Sequence, residues 1–302
     1  MVDGVRGNRM RILITGATGL LGRELVRHFK ELGETVLPFS HETFDVTKKD
    51  EILAVLRREK PDLIINCAVI LDVDKCEANQ KMCYSVNRDA VRNFLEPIAE
   101  LGIHPIFIQI SSSETFGRVE EGEYNPNGYS EDDEQKPVST YQKSKKEAEE
   151  IVLSFVKENP GALSRWYIPR AGWLYGEGRK TFIDRFFTTL QSKEPLEVIK
   201  DQWRSPTWTK DFARGLSEML KHPSGIYHIV SEVKPGEATT EDVIEEIEKY
   251  LGERAAHPKK TFVDQKTFFK VPRAPSNVLK NTKLPKLPYW RDALRAYLTK
   301  LR

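Results

Sequence analysis

The chain has 302 residues, with Lys+Arg 47 against Asp+Glu 45, which is enough for one large α/β domain, or a domain plus a smaller lobe. A net charge near zero gives no reason to expect nucleic acid or an anionic membrane as partner. No apolar run approaches the roughly 20 residues of a spanning helix. The three cysteines, Cys67, Cys76 and Cys83, argue for reduced thiols in a cytoplasmic protein rather than a disulfide framework or a metal site.

The polar start, Met1 to Arg9, reads as a short disordered lead and not as a secretion signal. An apolar run from Arg11 to Ile14 predicts a buried strand. Gly16, Gly19 and Gly22 follow, and Arg23 to Leu32 then carries apolar residues at 25, 26, 29 and 32, the spacing of a helix. Strand, glycine turn and helix together predict a dinucleotide site. The first glycine permits the turn, the second lets the backbone approach a pyrophosphate, and the third lets helix meet strand. The helix N-terminus offers free N–H groups.

A second strand covers 34–39. It ends at Ser40 and His41, without the acidic residue that usually binds an adenosine ribose 2′-OH. Asp45 and Val46, a few residues on, are expected beside the adenine. A helix over 48–58 leads to a third strand over 62–67, which brings Cys67, Ala68 and Val69 to the cofactor. A charged helix over 74–86 and a long helix over 87–101, ending at Gly102, precede a fourth strand over 105–110. Ser111-Ser112-Ser113 follow it. Residues 118–138 read as a polar surface loop, 138–158 as a long helix and 166–171 as another strand.

Apolar, β-branched strands alternating with helices imply a parallel sheet covered on both faces, a Rossmann-type doubly wound α/β fold. After Gly176 the rhythm changes to a helix over 181–191, a short strand over 196–199, a helix over 209–221 and a strand over 226–230. A helix over 240–251, a strand near 260–264 and a terminal helix over 290–301 complete the chain. The expected division is a dinucleotide-binding domain over 1–175, with 205–230 returning to it, and a smaller α/β substrate lobe over 176–302.

Two further signals carry chemistry. Tyr141-Gln142-Lys143-Ser144-Lys145 on a helix places Tyr141 and Lys145 on one face. A phenol titrates near 10, so bringing it to neutrality takes roughly 4 kcal/mol of preferential stabilisation of the phenolate. A neighbouring ammonium and an oxidised nicotinamide supply positive charge for that. Ser112, beyond the fourth strand, stands where ligands of open α/β sheets bind. Its hydroxyl is placed to donate to a carbonyl oxygen as that oxygen becomes an alkoxide.

With these residues in hand, the chain resembles an extended short-chain dehydrogenase/reductase, and more narrowly the dTDP-4-dehydrorhamnose reductases. The resemblance is carried by Gly-x-x-Gly-x-x-Gly at 16–22, Asn66-Cys67-Ala68, Val73-Asp74-Lys75-Cys76-Glu77, Tyr141 to Glu149 and Arg170 to Gly176. Asp201-Gln202 with Pro206-Thr207, and Arg273 with Pro275, Ser276 and Leu279, extend it over nearly the whole chain. It implies that Tyr141 protonates the C4 oxygen of a nucleotide-linked sugar. Lys145 would bind the nicotinamide ribose and lower the Tyr141 pKa, and Ser112 would hold the carbonyl oxygen. Gly16, Thr18, Gly19, Leu20, Leu21 and Gly22 would line the cofactor with Ser40, Asp45, Val46, Cys67, Ala68 and Val69. Ser113, Glu114, Trp173, Gln202 and Arg273 would contact the substrate. A homodimer is expected only by this resemblance.

The chain also departs from the family pattern. Ser113-Glu114-Thr115-Phe116 replaces Asp-Tyr-Val-Phe and looks more like nucleotide-sugar epimerases and dehydratases. Ile70 stands in place of a histidine and Arg204 in place of a glycine. Two rivals to a reductase follow: an epimerase or dehydratase that retains its NAD, and a non-catalytic NADP-binding subunit like the β regulatory subunit of methionine adenosyltransferase. The bare end of the second strand, with Ser40 and His41 able to accept a 2′-phosphate but no arginine beside them, favours NADP(H) slightly over NAD(H).

Overall fold

The computed structural model describes residues 9–117, 125 and 127–301. The lead before Arg9 and the first part of the expected loop over 118–138 lie outside these residues. In chain order the strands are β1 (Arg11–Thr15), β2 (Thr35–Phe39), β3 (Leu63–Asn66), β4 (Ile106–Gln109), β5 (Ser111–Ser112), β6 (Arg165–Ala171) and β7 (Trp173–Tyr175). They continue with β8 (Leu196–Ile199), β9 (Pro206–Trp208), β10 (Gly225–Ile229), β11 (Ser231–Glu232), β12 (Lys260–Val263) and β13 (Leu287–Tyr289). The helices are α1 (Leu20–Glu31), α2 (Lys49–Glu59), α3 (Val73–Ala78), α4 (Gln80–Tyr84), α5 (Ala90–Leu101) and α6 (Thr140–Glu158). Then come α7 (Phe182–Thr189), α8 (Thr209–Met219), α9 (Thr240–Leu251), α10 (Gln265–Phe268) and α11 (Trp290–Leu298).

The main sheet runs β2-β1-β3-β4-β6-β10, with β5 beside the end of β6, and every pairing is parallel. Alternation along β1 shows why helices cover both faces. Leu13 packs with Ile52 of α2, Phe94 of α5 and Val152 of α6. Ile12 and Ile14 pack with Leu25 and Phe29 of α1 and with Phe212 and Leu216 of α8. Fully burying such a side chain contributes about 1.5–3 kcal/mol. A third cluster in the later half joins Tyr175, Phe182 and Phe187 to Val243, Ile247, Trp290 and Tyr297.

From β1 the chain steps to β2 on one side and then crosses to β3 on the other. The strand order reverses there, so a crevice opens at the carboxyl ends of β1 and β3. Over 74–86 the structure differs from the single helix expected. Asn79, at φ −137° and ψ 72°, divides it into α3 and α4. Asp72 caps α3 by accepting from the Lys75 amide, and Asn79 caps α4 by accepting from the Met82 amide. A short polar side chain offers the backbone a cap that competes with helix continuation. Ser85–Asp89 then forms a π-helical turn before α5. The terminal helix is also shorter than expected, ending at Leu298.

Candidate active site

The glycine turn is built for close approach. Gly16 has φ +59°, and a Cβ there would lie 2.9 Å from the Cys67 carbonyl oxygen, at the end of β3. A Cβ on Gly22 would lie 2.2 Å from the Gly16 carbonyl oxygen. Gly19 caps α1 without any side-chain hydrogen bond, and the first turn holds no acidic residue. The opening N–H groups of a helix have no intrahelical partner, so the turn and α1 fit a pyrophosphate. Beyond β2, the Ser40 hydroxyl meets, among the described residues, only that of Thr43, at 3.3 Å. The Asp45 carboxylate is held by the Thr47 hydroxyl and amide, which keep it below the usual carboxylate range. The Val46 side chain is buried in the core, so only its backbone is left to meet a ligand.

Tyr141 and Lys145 lie in the first turns of α6. The register of that helix is fixed by a capping box, in which the Ser139 hydroxyl and the Gln142 side chain each bond the other's backbone. Tyr141 is 4% exposed and Lys145 is 3% exposed. Burial pushes the Tyr141 phenol up, Glu114 adds to this, and a hydrogen bond with Ser112 works against it. The lowering expected from Lys145 is therefore not found in the protein alone, where burial dominates and holds the phenol protonated. Burial likewise pushes Lys145 down to about 8, with the Glu149 carboxylate opposing. Its Nζ donates to the Ile110 carbonyl oxygen at 2.6 Å.

A hydrogen-bonded chain links these strand ends. The Thr15 hydroxyl donates to Asn66 Oδ1 at 2.7 Å, Asn66 Nδ2 donates to Gln109 Oε1 at 2.8 Å, and Gln109 Nε2 donates to the Ile110 carbonyl at 3.2 Å. The Cys67 and Ala68 amides donate to Thr15 Oγ1, at 3.1 and 3.2 Å. Asn87, in the π-helical turn, grips the Ile70 backbone from both sides. Its Oδ1 accepts from the Ile70 amide at 2.8 Å, and its Nδ2 donates to the Ile70 carbonyl at 3.1 Å and to the Ser144 hydroxyl at 3.2 Å. Neither Gln109 nor Asn87 was singled out from the sequence. The available signal was a polar amide inside an otherwise apolar strand or helix face.

The later half of the chain reaches the same place through Glu114. Its Oε1 accepts from Asn277 Nδ2 at 2.5 Å and its Oε2 from Gln142 Nε2 at 3.1 Å. Ser113 beside it is buried. Arg204 is 5% exposed and has no carboxylate within 4.0 Å among the described residues. Its Nη1 donates to the carbonyls of Trp203, Ala274 and Pro275. Burial pushes Arg204 down, Glu114 opposes, and Arg273 adds to the depression. Arg273 sits 3.6 Å from Asp74 and over the Phe269 ring. Among the described residues, the oxygens Asp74 Oδ1 and Asn277 Oδ1 are buried without a partner.

The structure thus brings Ser112, Tyr141, Lys145 and Glu114 together and sets Arg204 and Arg273 within electrostatic reach of one another. Gln202 is buried and spends its amide on Gln265 at 3.2 Å. Trp173 stacks on Phe182 in the later half's core. Among the described residues no hydrogen bond or ring contact ties Trp173 or Gln202 to Ser112, Tyr141 or Lys145.

Comparison with known proteins shows the family and the fold. The family model described as RmlD substrate binding domain matches residues 10–302. A curated relative from Streptomyces antibioticus, named as a probable dTDP-4,6-dihydroxy-2-methyloxan-3-one 4-ketoreductase, is 31% identical over 95% of this chain and 94% of its own length. A solved dTDP-4-dehydrorhamnose reductase from Clostridium acetobutylicum is 30% identical, with TM-score 0.81 over 97% of this chain and 99% of that one. A Bacillus anthracis dTDP-4-dehydrorhamnose reductase, solved in complex with NADP, shares the fold at TM-score 0.82 and 23% identity, over 97% of this chain and 100% of that one. The glycine turn, the Tyr-x-x-x-Lys helix and the match along almost the full length place the chain in the RmlD substrate-binding-domain family, on the extended short-chain dehydrogenase/reductase fold.

Proposed function

We propose that the chain reduces the 4-keto group of a nucleotide-linked deoxysugar, with NADP(H) as cofactor and dTDP-4-dehydrorhamnose as the substrate. The observation that carries this reading is the gathering of Ser112, Tyr141 and Lys145 beside the crevice between β1 and β3. Relatives at 30 and 31% identity that are named for reductions of this class support it.

When bound, the reduced nicotinamide supplies the hydride. The protein does the rest. The Gly16–Gly22 turn and the start of α1 hold the pyrophosphate, with Thr18, Leu20 and Leu21 along it. The backbone at Asp45, Val46 and Cys67 to Val69 lines the adenine and nicotinamide ends. Ser112 donates to the C4 carbonyl oxygen, and Tyr141 gives that oxygen its proton as hydride arrives at C4. The upward push on the phenol suits this role, because the acid must carry its proton when the substrate binds. Lys145 holds the nicotinamide ribose. On the substrate side, Arg204 and Arg273 offer cationic groups to the diphosphate, with Ser113 and Glu114 about the sugar. Glu114 has both oxygens engaged by Asn277 and Gln142, which leaves it poorly placed as the free base of a dehydratase. The free thiols of Cys67, Cys76 and Cys83 suit a cytoplasmic enzyme.

The test follows NADPH and NADH oxidation with dTDP-4-dehydrorhamnose, beside Tyr141→Phe. Turnover by the wild type, lost in the variant, supports the reading. Tight, non-exchanging nicotinamide in the purified protein would instead favour an epimerase. A folded, cofactor-binding protein without turnover on any nucleotide sugar would sink the enzymatic reading and favour a regulatory subunit. A lower KM for NADH than for NADPH would overturn the cofactor preference.

A further inference from the structure

Gln109 is the only polar residue of β4, whose other positions are Ile106, Phe107 and Ile108, and it is 1% exposed. A buried amide is costly unless both its ends are bonded. Here both are, and both bonds lie on the path to Lys145. Its oxygen accepts from Asn66 Nδ2, and its nitrogen donates to the Ile110 carbonyl, which Lys145 Nζ also uses. A carbonyl oxygen has two lone pairs, so the amide and the ammonium take one each. The donors run in one direction, from the Thr15 hydroxyl through Asn66 and Gln109 to Ile110, so the positive end of each dipole points toward the ammonium.

We infer that Gln109 is a positioning residue that fixes the Ile110 carbonyl under Lys145 and, by sharing that acceptor, limits how firmly the ammonium is held. This rests on the reading of Lys145 as part of the catalytic set only for its kinetic consequence; the coupling itself can be measured without turnover. The other charged or titratable groups facing Lys145 are Glu149 on its own helix, Cys67 after β3 and Cys83 on α4. None of them bonds to the Ile110 carbonyl.

The experiment is an NMR titration of the full-length protein labelled with lysine bearing 15N at Nζ, with the Lys145 resonance identified by its loss in Lys145→Arg. Gln109→Met removes the competing donor, so the Lys145 midpoint is expected to rise by about one pH unit. Gln109→Glu preserves the acceptor for Asn66, which guards the fold, and puts a carboxylate in place of the donor. Its midpoint is expected to rise further. A merely structural glutamine would lower the melting temperature in both variants and leave the midpoint within about 0.2 units of the wild type; that result would overturn the inference. If the midpoint moves, the alkaline limb of kcat should move with it. A moved midpoint with an unmoved limb would overturn the catalytic role given to Lys145 and uphold the hydrogen-bond coupling.

Discussion

The ends of β1, β3 and β4 differ in kind from the segments around Arg204 and Asn277. In the first region, the side chains of Thr15, Asn66 and Gln109 bond each to the next, and Lys145 closes the series on Ile110. The polar groups there are satisfied by the protein itself. In the second region, among the described residues, a guanidinium is buried without a carboxylate, and Asp74 and Asn277 each bury an oxygen without a partner. The side-chain series of the first region closes on itself, whereas two oxygens of the second have no partner among the described residues. Substitutions in the first should cost rate and stability together. Substitutions in the second should cost affinity more than they cost stability.

The largest effect is expected at Tyr141. Tyr141→Phe should lower kcat by roughly 10²–10⁴-fold, the value of a positioned acid, while NADPH binding stays within a few-fold of wild type. Equal losses in kcat and in cofactor affinity would mean that the ring is there for packing. Next comes Arg204→Met. Arg204 donates to the carbonyls of Trp203, Ala274 and Pro275, so an apolar replacement leaves those acceptors unpaired and costs some stability as well. The KM for the nucleotide sugar should rise about 10–100-fold, corresponding to one lost charge-assisted hydrogen-bonding group, with a modest fall in melting temperature from the unpaired carbonyls. A collapse in stability without a change in KM would erase the distinction between the regions.

The pH dependence is smaller and sharpens the contrast. Lys145 titrates at about 8 in the folded protein against 10.5 for the free side chain. The unfolded state therefore binds more protons between those values, so stability rises with pH across that window and is lower by about 3 kcal/mol below it. Calorimetric stability from pH 7 to 10, compared with that of Lys145→Met, isolates this contribution: the wild type should gain on the variant as pH rises. A gap that stays flat would mean that Lys145 is not depressed. For activity the sign is opposite, because the ammonium is the working form and kcat should fall as pH passes about 8. The smallest effect is expected at Ser40. Among the described residues its hydroxyl has only Thr43 for company, and Ser40→Ala should raise the KM for NADPH by less than about tenfold, a neutral hydrogen bond's contribution. No change in the NADPH to NADH ratio would remove Ser40 from cofactor choice.

Much of the first region was legible in the sequence, because periodicity and glycine spacing act over a few residues. Strand β1, the turn at Gly16–Gly22 and the Tyr141/Lys145 pair all sit within such windows. The second region was not. Arg204 could be seen only as a departure from a pattern, since its partners Ala274 and Pro275 lie about seventy positions away. Strands β5, β7, β9, β11 and β13 have two or three residues each, too few for alternation to show. Gln109 was hidden for another reason. One amide in an apolar strand has no period, and its partner Asn66 is forty-three positions distant.

The bond between Glu114 and Asn277 spans 163 positions. The segment around Asn277 also bonds to Tyr129, Trp203 and Ser205. A growing chain can lay down β1 through β6 long before residue 277 leaves the ribosome, but until then Glu114 lacks its Asn277 partner and Arg204 its Ala274 and Pro275 acceptors. The order of synthesis therefore separates folding from competence. A full-length chain carrying Asn277→Leu is expected to keep the circular-dichroism signature of the sheet and to bind the sugar nucleotide more weakly.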